Sequence, residues 1–308
     1  CIRDSQGTTG TTALVVNQDG DVCGQGYRGV KEIYPTPGWV DQDPVELFES
    51  CEYAILEAFR NANAHPSECV SLGITNQRET TLVWEKETGT PVSNAIVWEC
   101  RRTSTICEEL ISQGLNDEIR NRTGLPIDAY FSATKLRWIL DHIPEGQVRA
   151  QRGELLFGTV DTWIIWNLTR GRNHVTDITN ASRTMMLNLH TKDWDDLILD
   201  ILDIPRKLLP EIQPSSGIFG DATQGLFEES SLPISGVIGD QQSALFGQGC
   251  ISSGSAKNTY GTGSFLLLNT GENLTVSTEG LITIPAWAID SEITYALEGS
   301  IFSTGAAV

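Results

Sequence analysis

Several residue types and patterns that would indicate particular functions are scarce in this sequence. Lysine occurs six times, against fifteen arginines and 40 acidic residues, and the formal net charge is −19. A charge of that sign repels nucleic-acid phosphates and anionic membrane surfaces, and no basic patch offsets it. We therefore expect no nucleic-acid partner and no attachment to a membrane surface.

Cysteine pairs and long apolar runs are missing as well. The seven cysteines lie at irregular spacings without a Cys-x-x-Cys pair, which argues against a disulfide framework and against a zinc knuckle. No stretch approaches about 18 consecutive apolar residues, and no basic region followed by an apolar run opens the chain. The expectation is a cytoplasmic protein without a membrane span or a signal peptide.

Three familiar catalytic signatures are absent too. The four histidines show no metal-ligand spacing, which predicts no transition-metal site. No Gly-x-x-x-x-Gly-Lys-Ser/Thr segment occurs, which excludes a P-loop. No Gly-x-Ser-x-Gly elbow for a nucleophilic serine occurs either.

What the sequence does contain predicts an α/β protein with two domains. The chain has 308 residues, 40% of them hydrophobic, which is about two domains' worth of packed chain. Helices are predicted at about 43–62, 103–112, 116–122, 132–142, 159–168, 194–202 and 240–246. Strands are predicted at 13–16, 21–30, 70–75, 80–84, 95–98 and 237–239, and then in hairpins at 256–260, 265–269, 281–288 and 293–297. The change from alternating strands and helices to hairpins predicts a domain boundary near 248, between 1–247 and 248–308.

Two Gly-Thr turns next to strands resemble each other. One is Gln6-Gly7-Thr8-Thr9 and the other is Tyr260-Gly261-Thr262-Gly263. Glycine lets a backbone approach a phosphate closely, and threonine hydroxyls and successive N–H groups supply donors. The pair therefore suggests a duplicated nucleotide-phosphate clamp, although a single turn of this kind is more often a plain hairpin loop.

A few side chains could carry chemistry. Arg78-Glu79 follows a predicted strand and could present a donor fork and an acceptor to a polyhydroxylated ligand; the alternative is a solvated ion pair. Asp240 lies at a strand-to-helix junction, where it could accept the proton of an attacking hydroxyl or cap the helix. Trp98, Tyr130 and Phe265 could form the apolar wall of a pocket, or simply belong to the core.

Seven separated blocks make the sequence recognisable. They are GITNQRETT (73–81), VWEKETG (83–89), NAIVWECRRT (94–103), RGELLFGTVDTW (152–163), TNASRT (179–184), GDQQSALFG (239–247) and AKNTYGTG (256–263). In order and spacing they closely resemble the glycerol kinases, within the carbohydrate-kinase family with the actin-like, ribonuclease-H-like fold. The resemblance covers nearly the whole chain.

This resemblance implies a two-domain kinase fold and a reaction. ATP, with Mg²⁺, would donate its γ-phosphoryl group to the terminal hydroxyl of glycerol, and Asp240 would be the general base. Arg78, Glu79, Tyr130, Asp240 and Gln241 would bind the hydroxyls, while Trp98 and Phe265 would pack against the carbon chain. The nucleotide would be held by Gln6, Gly7, Thr8, Thr9, Gly261 and Thr262.

The sequence departs from the family pattern in three places. The family's metal-binding Asp is replaced by Ser5, with Asp4 one residue early, which puts the metal site in doubt and leaves Asp240 as a possible ligand. The second domain is expected to be truncated, since 248–308 is only its beginning. Glu228-Glu229-Ser230-Ser231 carries no arginine where family members bind fructose 1,6-bisphosphate, which predicts insensitivity to that inhibitor.

Two other functions remain open at this point. The protein could phosphorylate a related polyol or sugar such as xylulose or erythritol. It could also be a non-catalytic glycerol-binding paralogue or fragment that lacks the metal and adenine sites. When full length, the protein is expected to be a homo-oligomer, a dimer or a tetramer.

Overall fold

A computed structural model describes residues 2–228, 230–260, 264–277 and 280–301. Its strands are β1 (Ile2–Gln6), β2 (Gly10–Val16), β3 (Val22–Gly29), β4 (Asp41–Gln42), β5 (Leu72–Asn76), β6 (Leu82–Glu85), β7 (Ala95–Ile96), β8 (Leu155–Gly158), β9 (Val175–Asp177), β10 (Leu187–Asn188), β11 (Asp193–Trp194), β12 (Glu211–Gln213), β13 (Ser216–Ala222), β14 (Leu232–Gly239), β15 (Ala256–Tyr260), β16 (Ser264–Gly271), β17 (Ile282–Ile289) and β18 (Glu292–Ile301). Its α-helices are α1 (Pro44–Ala62), α2 (Ser104–Ser112), α3 (Asn116–Thr123), α4 (Ser132–His142), α5 (Gly146–Arg152), α6 (Val160–Leu168), α7 (Ile178–Ser182), α8 (Asp196–Ile201) and α9 (Asp240–Gly247). The predicted α/β class is confirmed.

One large sheet organises the molecule. Its order is β15-β16-β18-β17-β13-β14-β5-β1-β2-β3. At its centre β5 runs parallel to both β1 and β14, so the carboxyl ends of these three strands lie at the same edge. The strands that follow the predicted boundary join the sheet through one pair, Ser216 of β13 with Ile289 of β17. A division into two domains near 248 stays a prediction.

Helix α1 shows how the sequence determines one layer of the fold. Asp43 accepts a hydrogen bond from the backbone N–H of Val45, Pro44 begins the helix, and Asn63 ends it in the left-handed region at φ 50°. The buried face of α1 packs directly on β3. Gly26 makes this possible, because a Cβ there would lie 2.0 Å from the carbonyl oxygen of Ala54.

The buried apolar side chains form two clusters. One surrounds α1 and α6 and includes Leu47, Ile55 and Trp163. The other combines α4 with strands from after position 248, for example Leu136 with Ile284. The late strands therefore share a core with the earlier part of the chain.

Most predicted elements are found within a few residues of their predicted ends. The hairpin 13–16 and 21–30 corresponds to β2 and β3, and the helices at 43–62 and 132–142 are α1 and α4. One prediction is wrong: Gln6 is not in the turn but ends β1, which pairs with β2 and β5. Its sequence, IRDSQ, is mostly polar and lacks the apolar residues by which the other strands are predicted. The strand forms because β2 and β5 pair with it on both sides. Within the described residues no helix has a stretch long and apolar enough to cross a membrane.

Candidate active site

A cavity of about 450 Å³ opens at the carboxyl ends of β5 and β14. Nine residues singled out from the sequence line it, namely Thr8, Thr9, Arg78, Glu79, Trp98, Tyr130, Asp240, Gln241 and Phe265, together with Glu32, Tyr34, Gln77, Glu99 and Thr259. In open α/β sheets, ligands bind beyond the carboxyl ends of parallel strands. The position of the cavity in the fold is thus that of a binding site.

Arg78 leaves the end of β5 with its guanidinium group buried. Its Nη1 and Nη2 donate to the two carboxylate oxygens of Glu298 at 2.7 and 3.0 Å, and its Nε lies 3.2 Å from Oδ1 of Asp240. Burial opposes the charge, but Glu298 and Glu79 outweigh it and raise the pKa of Arg78 well above its usual value. Arg78 is therefore a fixed cation whose fork is held on one side by Glu298 and faces Asp240 on the other.

Glu79 has a strained backbone, with φ at 63° in the left-handed region. Its carbonyl oxygen accepts hydrogen bonds from the hydroxyls of Thr81 and Ser132, both at 2.9 Å. Its carboxylate accepts from Nε of Arg183 at 2.5 Å. Burial raises the pKa of Glu79 although Arg183 and Arg78 act in the opposite direction. The surroundings hold the side chain at the cavity wall in spite of the backbone strain.

Asp240 is the first residue of α9, and the cap position belongs to Gly239. Its side chain is 39% exposed, whereas that of Arg78 is 2% exposed. Oδ1 accepts a hydrogen bond from the backbone N–H of Gln241 at 2.7 Å. Asp240 is consequently an accessible carboxylate that a fixed cation orients at the cavity wall, where it can accept a proton from a ligand.

Aromatic rings form the apolar side of the cavity. Trp98 and Tyr130 meet edge to face with their centroids 5.7 Å apart, and Nε1 of Trp98 donates to Oγ1 of Thr8 at 2.9 Å. The guanidinium of Arg183 lies 5.3 Å from the centre of the Tyr130 ring. The wall is thereby tied both to the Gly-Thr turn and to the buried charges.

Lys135 fixes the loop that carries Tyr130. Its buried ammonium donates to the carbonyl oxygens of Ala129 at 2.7 Å, Tyr130 at 2.5 Å and Phe131 at 3.3 Å. Burial lowers its pKa to about 7. Three donors on three successive carbonyl groups hold this segment in one conformation.

The predicted phosphate clamp is represented in part. Thr8 and Thr9 line the cavity, whereas Gln6 is fully buried beneath them and its Oε1 accepts from Nε2 of Gln77 at 2.9 Å. Gly7 closes the turn through a hydrogen bond from its N–H to the carbonyl oxygen of Gly10. Gly261 and Thr262 lie outside the described residues, as do the side chains of Asp4 and Ser5. Gln6 and Gly7 do not line the cavity.

For a magnesium ion, the described residues offer carboxylates at the cavity wall, among them Asp240. No cluster of three or more His, Cys, Asp and Glu side chains in this part of the chain could hold a metal by itself. Mg²⁺ at phosphoryl-transfer sites takes one or two protein carboxylates and keeps waters and substrate phosphates as its other ligands. The half-exposed carboxylate of Asp240 fits that limited role.

Comparison with known proteins places these residues in a family. The model for the N-terminal domain of the FGGY family of carbohydrate kinases matches residues 4–247. The chain belongs to this family. A glycerol kinase from Shigella dysenteriae serotype 1 is 54% identical over 98% of this chain, and one from Escherichia coli strain K12 is equally similar. The chain spans 60% of the length of each relative.

Solved structures extend the comparison to the fold. The crystal structure of Plasmodium falciparum glycerol kinase with ADP superposes with a TM-score of 0.94 at 35% identity, covering 99% of this chain and 62% of that one. A ligand-bound xylulose kinase from Lactobacillus acidophilus, at 22% identity, has a TM-score of 0.88 over 99% of this chain and 60% of that one. The second likeness shows the fold alone. The predicted carbohydrate-kinase fold is confirmed.

Sequence reasoning missed three charged residues of the site. Arg183 and Glu298 are both buried, with Nη2 of Arg183 3.5 Å from Oε1 of Glu298, and together with Arg78 and Glu79 they form a four-charge network. Lys257 donates to the side-chain oxygen of Gln241. A signal was available, because all three lie in segments that resemble the family: TNASRT, AKNTYGTG and Ala296-Leu297-Glu298-Gly299.

Proposed function

We propose that this chain is part of an ATP-dependent glycerol kinase, and that the cavity at the ends of β5 and β14 binds glycerol. The observation that carries the proposal is the accessible carboxylate of Asp240 held 3.2 Å from the buried guanidinium of Arg78. The 54% identity to glycerol kinases over nearly the whole chain supports it.

The chemistry of the cavity matches a small triol. Arg78, Glu79, Tyr130, Asp240 and Gln241 would bind the hydroxyl groups, and Trp98 and Phe265 would cover the carbon chain. A polyol is neutral and binds through its hydroxyl groups. Hydrogen bonds between these hydroxyls and charged side chains are stronger than those with neutral ones.

In the proposed reaction, the terminal hydroxyl oxygen of glycerol attacks the γ-phosphorus of ATP, and Asp240 accepts the proton of that hydroxyl. The bond between the γ-phosphorus and its bridging oxygen breaks, ADP leaves, and glycerol 3-phosphate forms. Mg²⁺ would neutralise charge on the phosphates, and Asp240 is a carboxylate of the cavity that could contact it. Thr8 and Thr9 would help to hold the phosphates, and Gln6, Gly7, Gly261 and Thr262 remain predicted nucleotide-binding residues.

Two measurements test the proposal. Titration calorimetry should show heat with glycerol and a weaker signal with xylulose or erythritol, and a coupled assay with ATP and Mg²⁺ should release ADP only when glycerol is present. Tighter binding of another polyol would instead assign the chain to a different substrate. Heat without ADP release would favour the non-catalytic alternative, for which Ser5 in place of the family's aspartate is the motivating observation.

The metal site has a test of its own. We expect Ser5→Asp to raise the rate of ADP release, since a carboxylate binds a hard dication better than a hydroxyl does. Equal rates in the two forms would mean that other groups hold the metal.

Assembly and compartment complete the proposal. A reducing cytoplasm suits the six free thiols of the described residues, of which Cys23 is exposed. We also propose that the full-length protein is a homo-oligomer, a dimer or a tetramer, for which light scattering at increasing concentration should give a mass above that of one full-length chain.

A further inference from the structure

Lys257 approaches the cavity from behind Gln241. It is the second residue of β15 and is 3% exposed. Its ammonium group donates to Oε1 of Gln241 at 2.5 Å, to Oγ1 of Thr259 at 2.8 Å and to the carbonyl oxygen of Phe265 at 3.3 Å. An ammonium group has three N–H donors, so each of them has an acceptor.

These contacts determine which way the side chain of Gln241 faces. A lysine ammonium can only donate, so it must meet the oxygen of the carboxamide and not its nitrogen. Nε2 of Gln241 then points the other way, where it lies 3.4 Å from Oδ2 of Asp240, and both residues line the cavity. Without the ammonium, the two ends of the carboxamide could exchange places.

We propose that Lys257 is a positioning residue that holds Gln241 with its NH₂ group toward the cavity, where it donates a hydrogen bond to a polyol hydroxyl. This inference rests on the proposed function and deepens it, since it makes Gln241 a donor and Asp240 the neighbouring acceptor. A hydroxyl group placed between them can accept from one and donate to the other.

The arrangement also connects two parts of the chain. Gln241 lies in α9, before the predicted boundary at 248, whereas Lys257 comes from the strand after it. Lys257 further contacts Thr259 and Phe265, which line the cavity themselves. One buried ammonium group is therefore hydrogen-bonded to three residues of the cavity wall, Gln241, Thr259 and Phe265.

A double-mutant cycle separates positioning from general support of the fold. Lys257→Met, Gln241→Ala and the double variant are titrated with glycerol by calorimetry, with Lys207→Met, at an exposed lysine, as the control. Losing one hydrogen bond should weaken binding about fivefold to tenfold in each single variant. The double variant should bind within about twofold of Gln241→Ala, because the lysine acts through the glutamine.

Other outcomes overturn the inference. If the losses of affinity in the two single variants multiply in the double variant, Lys257 does not act through Gln241. The same holds if Lys257→Met binds glycerol like the parent. If Lys257→Met fails to fold, Gln241→Glu decides, because it keeps the partner of Lys257 and removes the N–H donors. That variant should fold and bind glycerol about tenfold more weakly; unchanged affinity refutes the proposal. A parent chain that gives no heat with any polyol refutes the proposed function, a result distinct from these.

Discussion

Two concave surfaces use the same strands and the same helix, yet they have opposite character. The cavity lies beyond the ends of β5 and β14 and is lined by five charged residues, Glu32, Arg78, Glu79, Glu99 and Asp240. A groove of about 430 Å³ runs along the two strands themselves, and none of the described residues that line it is charged. Helix α9 contributes Asp240 and Gln241 to the cavity and Ser243 and Phe246 to the groove.

The difference shows where this sheet can place chemistry. Along β5 and β14, the backbone N–H and C=O groups are hydrogen-bonded to neighbouring strands. The groove is therefore lined by side chains, and those of Ile74 and Val237 are apolar. Beyond Asn76 and Gly239 the chain leaves the ladder, so loops and a helix start can bring charges together. The proposed polyol chemistry should therefore depend on the cavity and be insensitive to the groove.

The largest effect is expected when the exposed carboxylate of the cavity is neutralised. We expect Asp240→Asn to lower kcat for ADP release by about 10²–10⁴-fold, because an amide cannot accept the proton. Calorimetry should still detect glycerol binding. A variant that changes only KM would assign Asp240 to binding and not to proton transfer.

Glu298 tests whether the buried charges behind the cavity depend on one another. Replacing it with Gln leaves Arg78 and Arg183 with one carboxylate fewer, and we expect a loss of about 3–5 kcal/mol in the free energy of unfolding. Urea unfolding measures it. Glu292→Gln on the same strand, at an exposed position, is the matched control. Similar losses in both variants would contradict the network.

His174 gives a prediction about pH that concerns the scaffold and not the cavity. Its Nε2 lies 2.8 Å from the carbonyl oxygen of Phe157, and burial lowers its pKa to about 4. The unfolded histidine takes up a proton near pH 6.5, so its contribution to stability is complete above that pH and is lost as the pH falls toward 4.

The variant His174→Gln keeps a donor but cannot take up the proton. The difference in unfolding free energy between parent and variant should therefore shift against the parent between pH 6.5 and 4. The comparison with the variant is needed because other groups titrate in this range. Burial raises the pKa of Asp161 to about 7, so protonation of Asp161 stabilises the fold as the pH falls, opposite to the effect of His174. A difference that is constant with pH would contradict the prediction.

The smallest effect is expected in the groove. Phe246 is 45% exposed and meets Trp287 edge to face at 5.2 Å. Phe246→Ala should lower stability by about 1 kcal/mol and leave glycerol affinity within about twofold of the parent. Phe265→Ala, on the cavity wall, is the matched comparison and should weaken binding more. Equal effects on affinity would make the groove part of the binding site.

Much of the site could be predicted because its signals are local. Arg78 and Glu79 follow a strand that its apolar residues reveal, and Asp240 lies where a strand gives way to a helix. Their assembly in one cavity followed from the resemblance to a family. The identity of that family is confirmed by the match over residues 4–247.

The compensating charges could not be predicted in the same way. Glu298 lies 220 residues from Arg78, and Arg183 lies 104 residues from Glu79. Apart from the resemblance to the family, nothing in the neighbouring sequence distinguishes such a buried ion from a solvated one, because its partners come together only in the folded state. β13 was missed for a different reason: its sequence, SGIFGDA, contains two glycines, and Gly220 adopts φ 136°.

The left-handed backbone of Glu79 restricts how this pocket could be redesigned. A glycine there would relieve the torsional strain but would leave Arg183 without its closest carboxylate, whereas a larger or branched acid would fit the torsion worse. Efforts to change the ligand preference of the cavity are better begun at Trp98 or Phe265, whose rings line it without balancing any ion.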